Sequence, residues 1–152
     1  MHEVRFSVLT VALMSALSCL ASGFPVSTQS HSMEQERDNG SIFRRHISMW
    51  ATGDLSAFDS LIAPEYIGHV ANGSRDREGL KARIKEFRRI YPDIEFRVED
   101  QLSSDEKVVT RLSARGTNSR TGARTELMGI NISRIVDQKI VEEWATWEIV
   151  AK

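Results

Sequence analysis

Apolar residues recur at helical spacing through the first half of the chain and at strand spacing through the second, with the change at Pro92. Ile42, Phe43, Ile47 and Trp50 fall on one side of a helix predicted from about Glu34 to Trp50, and Gly53 stops it. Asp54 is placed to cap a short second helix carrying Leu55, Phe58, Leu61 and Ile62, which Pro64 ends. Glu65 to Val70 is brief and β-like. Asp76 caps a third helix, with Leu80, Ile84, Phe87 and Tyr91 as its apolar stripe and Pro92 as its terminator. Ile94, Phe96 and Val98 then alternate with Glu95, Arg97 and Glu99 in a strand from Ile94 to Leu102. Val108 to Thr117, Thr125 to Val136 and Lys139 to Val150 follow as three more. Their connections, Ser103 to Glu106, Asn118 to Gly122 and Asp137-Gln138, are short enough for antiparallel hairpins. This order predicts an α+β domain, its three N-terminal helices packed on one face of a curved antiparallel sheet.

Composition narrows the function classes. A chain of 152 residues, 41% hydrophobic and 27% charged, has room for one domain with one core. Its net charge of -1 supplies no basic surface for phosphates, so nucleic acid is not an expected partner. The basic runs Lys81-Ala82-Arg83-Ile84-Lys85 and Arg88-Arg89 fit the solvated side of the third helix. There is no internal repeat, Walker-type loop, dinucleotide fingerprint or CxxC pair. His31 and His46 have no paired spacing with His69, so neither a metal site nor another cofactor is expected.

The first residues differ from the rest. Met1 to Arg5 is weakly charged, Phe6 to Leu20 is mostly apolar, and Ala21-Ser22-Gly23 offers the small residues a signal peptidase inspects. Residues 1–23 are therefore expected to be a secretory leader, 24–33 a flexible linker and 34–152 the folded domain. The product would be exported, periplasmic or secreted, with no stable membrane span once the leader is removed. Lipid attachment through Cys19 is the less favoured alternative, because Ala16-Leu17-Ser18 matches the usual approach poorly. Cys19 is the only cysteine, so the mature protein would have neither a disulfide nor a thiol nucleophile, and its core must hold it.

Candidate chemistry concentrates near the C-terminus. Alternation along the last strand puts Trp144, Thr146 and Glu148 on one face, which would hold a carboxylate beside a large aromatic. In an apolar pocket such a carboxylate can move a proton; at a strand end facing water it does nothing of the kind. His69, ending the short strand, is a candidate second acid/base or carbonyl-orienting group, or else a strand-end side chain bonded to backbone. Arg111 interrupts a β run and could meet an oxyanion, although Lys107, Val109, Ser113 and Arg115 make its face polar. Trp50, Tyr66, Phe87, Met128 and Trp144 are candidate walls of an apolar pocket, and Asn131, between Ile130 and Ile132, is a candidate polar point in it; each is also an ordinary core residue.

Four stretches together resemble the SnoaL-like polyketide cyclases of the nuclear transport factor 2-like superfamily. The first runs from Trp50-Ala51-Thr52-Gly53-Asp54-Leu55 into Phe58 through His69. The second is Gly79-Leu80-Lys81 with Phe87 and Tyr91-Pro92-Asp93-Ile94. The third is Val108-Val109-Thr110-Arg111 leading to Gly116-Thr117, and the fourth is Ile132-Ser133-Arg134-Ile135 through Lys139-Ile140-Val141-Glu142-Glu143-Trp144. The resemblance covers about residues 40 to 150. It implies a cone-shaped fold around a mostly apolar cavity, commonly a homodimer, and an acid/base carboxylate four residues after the motif tryptophan. Glu148 stands there in place of the family's Asp, and Gln138 in place of the glycine usual at the hairpin. The implied activity is cofactor-independent: a cyclase or isomerase acting on a small apolar carbonyl compound, with Glu148 moving a proton and His69 or Arg111 holding the enolate oxygen. Two alternatives stay open, a ligand-binding or interaction domain without catalysis, and hydrolysis or isomerisation as epoxide hydrolases and ketosteroid isomerases perform it on this scaffold.

Overall fold

A computed structural model describes residues 26–150; the expected leader with Cys19 lies outside the described residues. Helix α1 spans Val26–Thr52 and ends where Gly53 takes φ +77° and its amide bonds the Met49 carbonyl, the glycine stop expected from sequence. Its start lies within the stretch expected as a linker. Neither glycine nor proline interrupts residues 26–39, so nothing local breaks the helix there. Helix α2 is only Phe58–Leu61. Asp54 does not cap it; the Asp54 carboxylate closes a turn on the Ser56 amide instead.

Strand β1 begins at once, at Ile62, and runs to Val70; β2 is Gly73–Arg75, α3 Arg77–Ile90. Pro64 therefore sits inside a strand and ends no helix. It is tolerated because the pairing with the neighbouring strand slips there, six residues of β1 (Ile62 to Ile67) spanning three of the neighbour (Ile140 to Glu142). Asp76 caps α3 as expected, its Oδ1 accepting from the Gly79 amide at 2.8 Å. Leu80, Ile84 and Phe87 are the buried stripe.

Strands β3 (Glu95–Ser104), β4 (Lys107–Thr117), β5 (Arg124–Val136) and β6 (Lys139–Ile149) form the expected meander. Asp137 and Gln138 both take positive φ, which a two-residue hairpin of this twist requires. The sheet has six strands in the order β2-β1-β6-β5-β4-β3. It is not wholly antiparallel, as β1 lies parallel to β6. The meander starts at the far edge and returns to β1 only after α3 has crossed over, which is the connection a parallel neighbour needs.

One irregularity decides which side chains face the helices. Between β5 and β6, Arg134 pairs with Glu142 but Ile135 pairs with Ile140, so Val141 is an extra residue, a β-bulge. Ile140 is buried on the helix side. Unbroken alternation from it would turn Glu142, Trp144, Thr146 and Glu148 inward; the bulge resets the count and turns Glu143, Ala145 and Trp147 inward instead. The helix-covered face carries Val108, Leu112 and Ile135 against Phe43, Phe58, Leu61, Leu80 and Ile84, all buried. Each large side chain so buried contributes roughly 1.5–3 kcal/mol.

Candidate active site

The core does not fill the space between helices and sheet. A cavity of about 330 Å³ remains between α1, α3 and the inner face, walled by Trp50, Tyr66, Phe87, Leu112, Leu127 and Trp147. Two glycines make room for the aromatic walls. A Cβ at Gly68 would lie 2.5 Å from the Tyr66 hydroxyl, and one at Gly129 2.5 Å from the Trp147 ring.

In this apolar wall sits Glu143, 4% exposed. A buried carboxylate needs partners, and three donors converge on it. The Tyr66 hydroxyl donates to Oε2 at 2.7 Å, Asn131 Nδ2 to Oε1 at 3.2 Å, and Ser133 Oγ reaches Oε1 at 3.0 Å. The Ser133 hydroxyl has one proton and also stands 2.7 Å from Asn131 Oδ1, so it serves one of the two at a time. Burial first, and then the Glu143 charge and hydrogen bond, push the Tyr66 phenol well above its ordinary range, so it stays protonated and remains a donor.

His46, from α1, completes the cluster. Its Nε2 accepts from Trp50 Nε1 at 3.1 Å and lies 3.3 Å from Glu143 Oε1. Nε2 has a single site, so it either accepts from Trp50 or, as an N–H, donates to Glu143, and the two neighbours compete for that nitrogen. The other nitrogen, Nδ1, is buried and without a partner among the described residues. No group of three or more His, Cys, Asp and Glu side chains stands together as a metal site would need, again among the described residues.

The sequence profile of the SnoaL-like polyketide cyclases matches residues 41–151. The chain belongs to this family. Among solved structures it is similar to wild-type IdmH of Streptomyces antibioticus, a proposed polyketide cyclase, with 29% identity over 72% of this chain and 91% of that one and a TM-score of 0.66. A proposed polyketide cyclase of Bacillus cereus ATCC 10987 is 27% identical over 79% of this chain and 80% of that one, with a TM-score of 0.70. TsrD of Streptomyces laurentii shares the fold at 20% identity, TM-score 0.67, over 74% of this chain and 89% of that one. Among curated proteins none matches the chain.

For this SnoaL-like chain the geometry redistributes the expected site. Trp50, Tyr66, Phe87 and Asn131 line the cavity; His69 borders it, but its ring leaves the outer face of the sheet, since it pairs with Trp144 while Gly68 pairs with the inward Glu143. Glu148 does not. It is exposed, on the sheet's outer face with Trp144 and Thr146, because the Val141 bulge inverts the count that placed them inside. Met128 pairs with Glu148 and is exposed beside it. Arg111 is exposed on the same outer face, opposite Ile130. Those five cannot reach a ligand in the cavity. Trp144 instead stacks under the His69 ring, centroids 4.9 Å apart and 8° from parallel, while His69 Nε2 lies 2.9 Å from Glu142 Oε1. The His69 bond, foremost, and Arg134 hold the Glu142 carboxyl below its usual range. Sequence reasoning passed over His46 and Glu143. His46 did carry a signal, lying three residues after Phe43 and four before Trp50 on the helix stripe. Glu143 carried none without the bulge.

Proposed function

We propose that this SnoaL-like protein is a cofactor-independent cyclase or isomerase for a small, largely apolar carbonyl compound, with Glu143 as its acid/base. The supporting observation is Glu143 itself, the carboxylate in the cavity wall, set against a histidine that can donate to it. In the step proposed, Glu143 takes a proton from a carbon next to a carbonyl. The C–H electron pair moves onto the carbonyl oxygen as an enolate. The enolate carbon attacks a second carbonyl of the same molecule, one C–C bond forms, and the new alkoxide takes the proton back. Nothing is oxidised or reduced. His46 steadies the protonated carboxyl between the two transfers.

The test is deuterium uptake at the α-carbons of cyclic and acyclic β-diketones in heavy water, followed by NMR. Glu143→Gln is expected to lose at least about 100-fold of the enzyme-dependent exchange, while Glu148→Gln exchanges like wild type. Equal exchange by wild type and Glu143→Gln would remove Glu143 as the base. The occupancy of both Glu143 oxygens by internal donors favours a second reading, a binding domain without catalysis; it predicts saturable binding of such ligands and no exchange at all.

The proposal extends to assembly as a homodimer. Val109, Met128 and Ile130 leave apolar surface exposed on the outer face, where a second copy would cover them. Sedimentation of wild type as a dimer and of Ile130→Glu as a monomer is the expected result; a wild-type monomer would refute it.

A further inference from the structure

Two arginines stand among the cavity-lining residues, Arg75 from β2 and Arg83 from α3. Six other arginines of the described part spend their guanidinium on a carboxylate: Arg77 on Asp59, Arg89 and Arg120 on Glu86, Arg97 on Glu99, Arg115 on Glu126, Arg134 on Glu142. Arg75 and Arg83 make no such pair among the described residues. Their nearest acidic neighbours in sequence are engaged elsewhere, Asp76 on the first turn of α3 and Glu86 on Arg89 and Arg120. Both cations are nonetheless held in place. The Arg83 guanidinium lies 5.5 Å from the centre of the Phe87 ring, itself a cavity wall. The Arg75 stem runs over Gly79, where an added Cβ would meet its Cγ at 2.7 Å, so the missing side chain is the groove that seats it. The Arg75 charge is close enough to act on the Tyr66 phenol, the donor to Glu143.

We infer that the cavity takes an anionic ligand, an apolar ring or chain carrying a carboxylate, with Arg75 and Arg83 holding the carboxylate at the rim while the apolar body lies against Phe87, Tyr66 and Trp147. This rests on the reading of the cavity as the substrate site and names the class of substrate it selects. An apolar pocket with unpaired guanidiniums at its more exposed end and a buried carboxylate in its wall gives a ligand only one favourable orientation. The acidic end goes to the rim, since a second carboxylate beside Glu143 would add like charge in a dry site. Two arginines facing one carboxylate supply the charge-assisted bonds that neutral ligands cannot match.

The probes are 1-naphthylacetate and 1-naphthylacetamide, nearly the same in shape and different in charge, titrated calorimetrically into the full-length protein. Wild type is expected to bind the carboxylate about tenfold or more tighter than the amide. Arg75→Gln and Arg83→Gln each narrow that ratio and the double variant brings it to about one, with amide affinity unchanged. The preference also shrinks with rising salt, and Arg75→Lys retains part of it. Circular dichroism and thermal melting establish that each variant is folded. A wild-type ratio near one, a ratio unchanged in the double variant, or no saturable binding of either probe overturns the inference. Glu143-dependent exchange on neutral diketones together with a ratio near one would sink this inference alone. A charge preference without any exchange would sink the base and leave the anion site standing.

Discussion

Glu142 faces away from the helices, bonded to His69 and Arg134 and partly open to water, whereas Glu143, the next residue, is sealed under α1 with Tyr66, Asn131 and His46. The two side chains are chemically identical, lie in one strand and differ only in which side of the sheet they leave. Outside, a carboxylate is one more charge in a cross-strand ladder that water can replace. Inside, it must be matched by donors, and the donors must be matched in turn. The contrast shows that chemistry here is assigned by strand parity before it is assigned by residue type.

The strongest way to break the comparison is to truncate both. Glu143→Ala leaves the Tyr66 hydroxyl and the Asn131 amide buried without their acceptor and is expected to cost about 3 kcal/mol in urea unfolding; Glu142→Ala is expected to cost under about 1 kcal/mol. Equal losses would mean that burial does not separate them. A smaller effect tests the hairpin that sets the register of both. Gln138 holds φ +61°, a conformation glycine adopts freely, so Gln138→Gly should stabilise by up to about 1 kcal/mol, read as a rise in melting temperature. The smallest effect is in acid. Because the folded-state pKa of Glu142 is depressed, its stabilising contribution is present above its ordinary value of about 4.5 and is lost as pH falls through the lower folded value. Wild type should therefore lose roughly half a kcal/mol more than Glu142→Gln between pH 5 and the acid limb, as unfolding at stepped pH would register.

Sequence carried much of this fold because most of it is written locally. The α3 stripe, its Asp76 cap, the Gly53 stop and the alternation of β3 to β6 each depend on neighbours within one or two turns or pleats. What stayed hidden depends on distant partners. The pairing of β1 with β6 and the slip that accommodates Pro64 exist only once the two strands meet. The site divides in the same way. Trp50 and Phe87 follow from helix periodicity and Tyr66 from the family motif, and all three reach the cavity. Trp144 and Glu148 missed it through a single miscount at Val141. Met128 and Asn131 were incompatible from the start. They lie three residues apart in an unbroken strand and cannot share a face.

The Val141 bulge also governs what changes of length β6 can survive. Ile140 pairs with Ile135 and Glu142 with Arg134, adjacent positions on the partner, so a chain lacking Val141 could close the ladder with Glu143 still facing His46. Loss of one residue anywhere from Trp144 to Thr146 has no such slack. Every side chain beyond the gap would exchange inside for outside, and Trp147 would leave the cavity it walls. Position 141 is the one place in the strand where the chain can be shortened without rewriting the pocket.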